Sequence, residues 1–267
     1  MYSKHPSLEL TELFKSKPYQ GQNPRRAKIL FLGLDANFGA NIATDGFFPR
    51  IKEYLSNGVK FWEKYGVHHP FLLHSYPSSD GVRYHRQFAK LGLGKEHAQY
   101  ISFIELLDIP TTGSTTKNRK LFHSYLNLDY LRELDKLLSN NRKKLLFVSS
   151  GVLRAMQKIK REHQIFNWLP NNDIRGRNQI IEVVKKRGLQ VYFITHFSAS
   201  ISNDHIRDMR ALIDRFMEEA IQPKPEEKEP APAPKISTDK EPIETLPQNR
   251  KKRKGLFLRI VDRVVGR

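Results

Sequence analysis

Two residues of this chain have both the type and the setting to do chemistry: Asp35, in "KILFLGLDANFG", and His196, in "LQVYFITHFSAS". Each follows a short apolar run, Ile29–Leu32 and Val191–Thr195, that reads as a strand buried on both faces. An aspartate at the mouth of such a strand is either a turn or helix cap, where Asp and Gly dominate, or a catalytic acid on a loop leaving a parallel sheet. A histidine there is either a satisfied core residue or an acid–base or hydrogen-bonding group. Open α/β sheets carry their sites at the carboxyl ends of the strands, so the two residues, far apart in sequence, could face one cleft.

The elements that would position them follow from periodicity. A leading segment with a short helix near Leu8–Lys15 precedes the first strand. Helices near Pro49–Leu55 and Phe61–Tyr65 come next, then an irregular loop, "LHSYPSSDGVRYH", at Leu73–His85. A second apolar run spans Ile101–Leu107. Leu126, Leu131, Leu134, Leu137 and Leu138 share a helical face. "KKLLFVSS", Lys143–Ser150, is a third strand, and "GVLRAMQKIKREH" is the helix after it. Val191–Thr195 is the fourth strand, and Asn203 caps a closing amphipathic helix, "NDHIRDMRALIDRFMEEA". Buried strands separated by helices predict a three-layer α/β/α sandwich around a mostly parallel, four-stranded sheet.

Charge narrows the partners. The 46 Lys+Arg against 28 Asp+Glu give a net charge of +18, which calls for an anionic partner: nucleic acid, acidic membrane or phosphorylated substrate. Cysteine is absent, which excludes disulfides, thiolate zinc sites, cysteine nucleophiles and cysteine-held iron–sulfur clusters, and fits a reducing cytoplasm. No signal core or membrane-length apolar run is expected. The loop histidines His68, His69, His74 and His85 lack ligand spacing and read as solvated, so no metal is expected.

Residues 222–249 hold seven of the 15 prolines, four Lys and six acids, a net −2 typical of an extended disordered linker. Residues 250–267, "RKKRKGLFLRIVDRVVGR", carry eight basic residues and one acid, net +7, so residues 1–221 are themselves at +13 (18 + 2 − 7). Arg250, Lys251, Lys252, Arg253 and Lys254 would meet phosphates, and the apolar-basic remainder could dock on a partner, a membrane surface or DNA.

Against that background the chain resembles the uracil-DNA glycosylase superfamily, over roughly residues 26–220. The family's first motif is a strand followed by Gly-x-Asp-Pro-Tyr-His, or Gly-x-Asn-Pro-Gly in another branch; "GLDANFG" fits with Gly33 and Asp35. Its late His-Pro-Ser-Pro motif is similar to "THFSAS", with His196 and Ser198. "FIELLDIPTTGSTT" looks like the middle segment of the mismatch-specific uracil/thymine branch, and Phe61–Trp62 echoes an Asn-Arg-Phe-Trp element there.

The resemblance implies a DNA glycosylase without cofactor, a monomer associated with nucleoid DNA. It puts Asp35 on the acid that positions water and supports the sugar cation, and His196 on the donor to the base oxygen as negative charge develops there. Phe48, 13 residues after Asp35, or Phe47 falls near the aromatic that stacks on a flipped base; ordinary core packing is the alternative for both. Asn37 stands where one branch has a tyrosine that excludes C5 substituents. Glu105 sits near the residue that reads the base edge, where a carboxylate could accept from a cytosine-type amine, or else is a solvated strand end. Ser200 replaces the usual apolar wedge, with Ile201 next to it. Ala36, Phe197 and Ala199 break the motif prolines. Space at Asn37, with Tyr76, Asp80, Arg83, Tyr84 and His85 on the loop, favours a C5-modified pyrimidine over uracil. Ordinary uracil or mismatch repair is one alternative. A non-catalytic nucleic-acid-binding protein is another, and an unrelated Rossmann-like enzyme a third, without a phosphate loop or nucleophile elbow to support it.

Overall fold

The computed structural model describes residues 1–115, 118–140, 142–186 and 188–221. The elements, in chain order, are β1 (Ser3–Lys4), α1 (Leu8–Ser16), β2 (Tyr19–Gly21), β3 (Ile29–Gly33), β4 (Ala36–Asn37), α2 (Phe48–Ser56), α3 (Gly58–Tyr65) and α4 (Val82–Ala89). Then follow β5 (Ile101–Glu105), β6 (Pro110–Thr112), α5 (Arg119–Ser124), α6 (Leu128–Ser139), β7 (Lys144–Val148), α7 (Ser150–His163), β8 (Ile181–Lys186), β9 (Leu189–Phe193) and α8 (Asn203–Ile221). The expected linker and basic tail, residues 222–267 with Arg250 to Lys254, lie outside the described residues.

The main sheet has the order β2-β5-β3-β7-β9-β8. Its middle four strands are the four expected ones, and they pair in parallel. The expected count of four is corrected to six, because β2 joins antiparallel to β5 and β8 antiparallel to β9. Successive side chains of a strand point to opposite faces. Leu30, Leu32, Leu146 and Val148 enter one core with α6 and α7, through residues such as Leu131, Leu134, Met156 and Ile159. Ile29, Phe31, Leu145 and Phe147 enter the other, with Trp62 of α3, Phe88 of α4 and Met209 and Ile213 of α8. Burial on both faces is why these strands read as unbroken apolar runs, and it makes the molecule three-layered.

A second sheet, β1-β6-β4, is small but consequential. Ala36 and Asn37 pair with Pro110 and Thr111, so the chain leaving β3 is held to the chain leaving β5. The N–H groups of Leu106 and Leu107 donate to the carbonyls of Gly33 and Leu34 at 3.1 Å, extending that seam. Two boundaries differ from expectation. The Leu73–His85 loop ends early, because α4 begins at Val82 after Gly81 takes the left-handed conformation (φ 75°). The cap of α8 is Ser202 rather than Asn203: its Oγ accepts from the His205 N–H at 3.2 Å.

Candidate active site

The chain passes from β3 to β5 on one side and from β7 to β9 on the other, so the sheet's switch point lies between β3 and β7. A crevice belongs at the carboxyl ends of such strands. A cavity of about 1200 Å³ opens there, lined by residues that follow all four parallel strands: Asp35 after β3, Glu105 ending β5, Ser149 to Gly151 after β7 and His196 after β9.

Asp35 is held by the β6 segment. The Thr111 hydroxyl donates to Oδ2 and the Thr115 hydroxyl donates to Oδ1, the latter at 2.9 Å. The Tyr2 hydroxyl is buried beside this carboxylate and both threonines; burial first, and then the charge of Asp35, raise its pKa. The acid is therefore oriented by a bond to each oxygen.

His196 opens into the cavity against the Tyr84 ring, with centroids 5.4 Å apart. Its Nδ1 accepts from the Ser198 N–H at 3.2 Å, which assigns the proton to Nε2. The surrounding walls lower its pKa by desolvation, and Asp35 opposes that effect without reversing its direction. The shift favours the neutral imidazole, with its proton on Nε2 in a ring that lines the cavity.

Glu105 is not a solvated strand end. Its Oε2 is buried without a hydrogen-bond partner, and desolvation, aided by the charge of Asp35, pushes its pKa well above the carboxylate range. The expected solvated strand end is corrected to a buried carboxyl whose surroundings favour the protonated form. Gly33, its register partner on β3, makes this possible: a Cβ there would collide with Glu105 Oε2.

Asn37 lines the cavity, and its Nδ2 donates to the Gly113 carbonyl at 2.5 Å and to Thr111 Oγ1 at 3.3 Å. Ser198 also lines the cavity, whereas Ser200 is exposed outside it. Ile201 is only 8% exposed and packs in the core with α8, so it is not a free wedge. Phe47 and Phe48 are likewise corrected to core residues; Phe47 contacts the cavity indirectly, through Tyr76 at 5.0 Å. The aromatic walls are instead Phe38, Phe71, Tyr76, Tyr84 and Phe103.

The histidines expected to be solvated form a buried stack, His74 excepted. His68 and His69 are 3% and 2% exposed, the rings of His69 and His85 stack at 3.6 Å, and His68 Nε2 shares a hydrogen bond with His85 Nδ1 at 3.1 Å. Desolvation lowers the pKa of all three, that of His85 to about 3. Among the described residues no group of three or more His, Asp or Glu is arranged to hold a metal ion.

Sequence reasoning missed the basic rim. Arg119, Lys120, Arg154, Lys158 and Arg161 border the same cavity. The last three lie at one face of α7, and their i, i+4, i+7 spacing in "RAMQKIKRE" was the available signal. Thr111 and Thr115 lay within the quoted middle segment, but their bonds to Asp35 depend on β6 docking beside β4. The chain matches no protein-family model, and no curated protein matches it in sequence at a significant level.

Proposed function

We propose that this protein is a DNA N-glycosylase that takes a modified or mismatched pyrimidine nucleotide out of the duplex and hydrolyses the bond between its base and deoxyribose, leaving an abasic site. The observation that carries this reading is the oriented Asp35 carboxylate and the neutral His196 Nε2–H donor in one cavity. Cleavage of an N-glycosidic bond builds positive charge on the sugar and negative charge on the base. Asp35 serves the first by facing the sugar and orienting water. His196 serves the second by donating to the base oxygen, and a neutral donor does so without a protonation step.

The basic rim of α7 and the N–H groups of its first turn, at Ser150 and Gly151, suit the phosphates on either side of a flipped nucleotide. Phe71, Tyr76 and Tyr84 supply aromatic surface for the base and its substituent. Asn37, tied back to Gly113, leaves the position beside C5 without a blocking ring. This favours a C5-substituted pyrimidine, such as the hydroxymethylated or glucosylated cytosines of some bacteriophage DNAs. Removing these bases throughout invading DNA would serve defence in the cytoplasm rather than repair.

The test is incubation with DNAs containing uracil, thymine mismatches, 5-hydroxymethylcytosine and its glucosylated forms, with mass analysis of released bases. Release of a C5-modified cytosine is the expected result. Release of uracil alone would return the protein to ordinary repair. DNA binding without release of any base would make it a non-catalytic binding protein.

A further inference from the structure

The cavity contains a second acid that the chemistry above leaves unused. Glu105 ends β5, its Oε2 has no hydrogen-bond partner, and its carboxyl lies over Gly33, where a side chain of any size would displace it. The charged and titratable groups that act on it are Asp35 on the loop after β3, Tyr54 on α2, Tyr84 on α4 and Tyr130 on α6; among the described residues none is a cation. The Tyr130 hydroxyl donates at 2.9 Å to the backbone carbonyl of Glu105, so it fixes the strand end without satisfying the carboxyl. A buried acid beside another carboxylate, with no counter-charge, is pushed toward its protonated form.

A neutral carboxylic acid presents one donor and one acceptor side by side. The edge of cytosine presents the complement, a lone pair on N3 and an N–H on the exocyclic amine. From this geometry, and resting on the glycosylase reading, we infer that Glu105 pairs with N3 and the amine of a cytosine-type base and delivers its proton to N3 as the base departs.

The step balances. The C1′–N1 bond breaks with its electron pair going to the base, and water oxygen bonds to C1′ while its proton passes to Asp35. The Glu105 proton goes to N3, so the base leaves as neutral cytosine, in its N3–H tautomer. The proton on Asp35 returns through the cavity solvent, and Glu105 is reprotonated before the next turnover. Uracil has no lone pair at N3, because that nitrogen carries its own hydrogen, so it cannot take the proton there.

Glu105→Gln keeps one donor and one acceptor in place but has no proton to transfer. With DNAs carrying the same hydroxymethyl group on cytosine or on uracil, the variant should bind both like the wild type. It should release the cytosine base roughly 10²–10⁴-fold more slowly, the range of a positioned acid, and the uracil base within about tenfold of wild type. Gly33→Ala, which shifts the carboxyl, should repeat the selective loss; thermal unfolding confirms that both variants fold. Infrared difference spectra of wild type against Glu105→Gln should contain the carbonyl stretch of a protonated acid at neutral pH. Undiminished cytosine release by Glu105→Gln, equal losses on both bases, or an ionised Glu105 at neutral pH would each overturn the assignment while leaving the glycosylase reading intact. No base release by the wild type would overturn both.

Discussion

At the scale of the residue, the two acids of the cavity differ in partners, and the roles proposed for them follow from that difference. Asp35 accepts one threonine hydroxyl on each oxygen, whereas Glu105 has a buried oxygen that accepts nothing. Asp35→Asn keeps the shape but places an amide where water must be polarised. Base release should fall roughly 10²–10⁴-fold with DNA affinity largely unchanged. His196→Ala should cost about 10²–10³-fold, as for loss of a single oxyanion donor. Both are measured as single-turnover rates of base release, and wild-type rates would point to another site. The tautomer adds a finer check: since Ser198 N–H occupies Nδ1, the proposed donor to the base is Nε2, and nitrogen NMR of His196 should find its proton there.

At the scale of the element, what was legible in the sequence follows burial. The four parallel strands were readable because both of their faces are apolar, and the helices because one face is. The edge strand β8 was not, since "IIEVVKK" alternates with charges that belong on an open edge. The β1-β6-β4 sheet was not either: strands of two or three residues carry no periodicity, yet they deliver Thr111 to Asp35. The histidines were misread because loop sequence says nothing of burial until α4 packs over it. That packing has a consequence in acid. Folded-state pKa values of His68, His69 and His85 lie below the unfolded value near 6.5, so the unfolded chain binds more protons. Their contribution is complete above that value and is lost as pH falls from it toward about 3, the folded value of His85. Each group can steepen the loss by up to about 1.4 kcal/mol per pH unit. Unfolding midpoints should therefore drop already between about pH 6.5 and pH 5, above the carboxylate range. A midpoint flat across that interval would show the stack to be charged or open. On α7, Arg154→Ala, Lys158→Ala and Arg161→Ala should each weaken DNA binding with little dependence on base identity, and each should reduce the salt slope by about one; an unchanged slope would remove α7 from the phosphate path.

At the scale of the whole molecule, charge is divided between a body and a tail that need not do the same work. Residues 1–221 carry +13, and five of the body's basic side chains border the cavity. Residues 250–267 carry +7, after a stretch, residues 222–249, that holds seven prolines. The body forms a compact unit, Met1–Gln222, and it holds the hydrophobic clusters of the described residues. Every residue assigned to chemistry lies in it as well. Removing residues 222–267 should thus leave folding and the rate of base release at saturating DNA unchanged. Affinity is a different matter, because contacts to phosphate release counterions and weaken with salt at about 0.9 per phosphate neutralised. The truncated protein should bind duplex DNA more weakly at low salt and with a shallower salt slope, and the two proteins should converge as salt rises. The cavity, fed by its own basic rim, would then define which nucleotide is engaged, while the tail raises the time spent on any DNA. Titrations of both proteins over a series of salt concentrations, with base-release rates on the same preparations, separate the two contributions. An unchanged slope would place all phosphate contacts on the body, and a lower saturating rate would show that the tail takes part in presenting the nucleotide to Asp35 and His196.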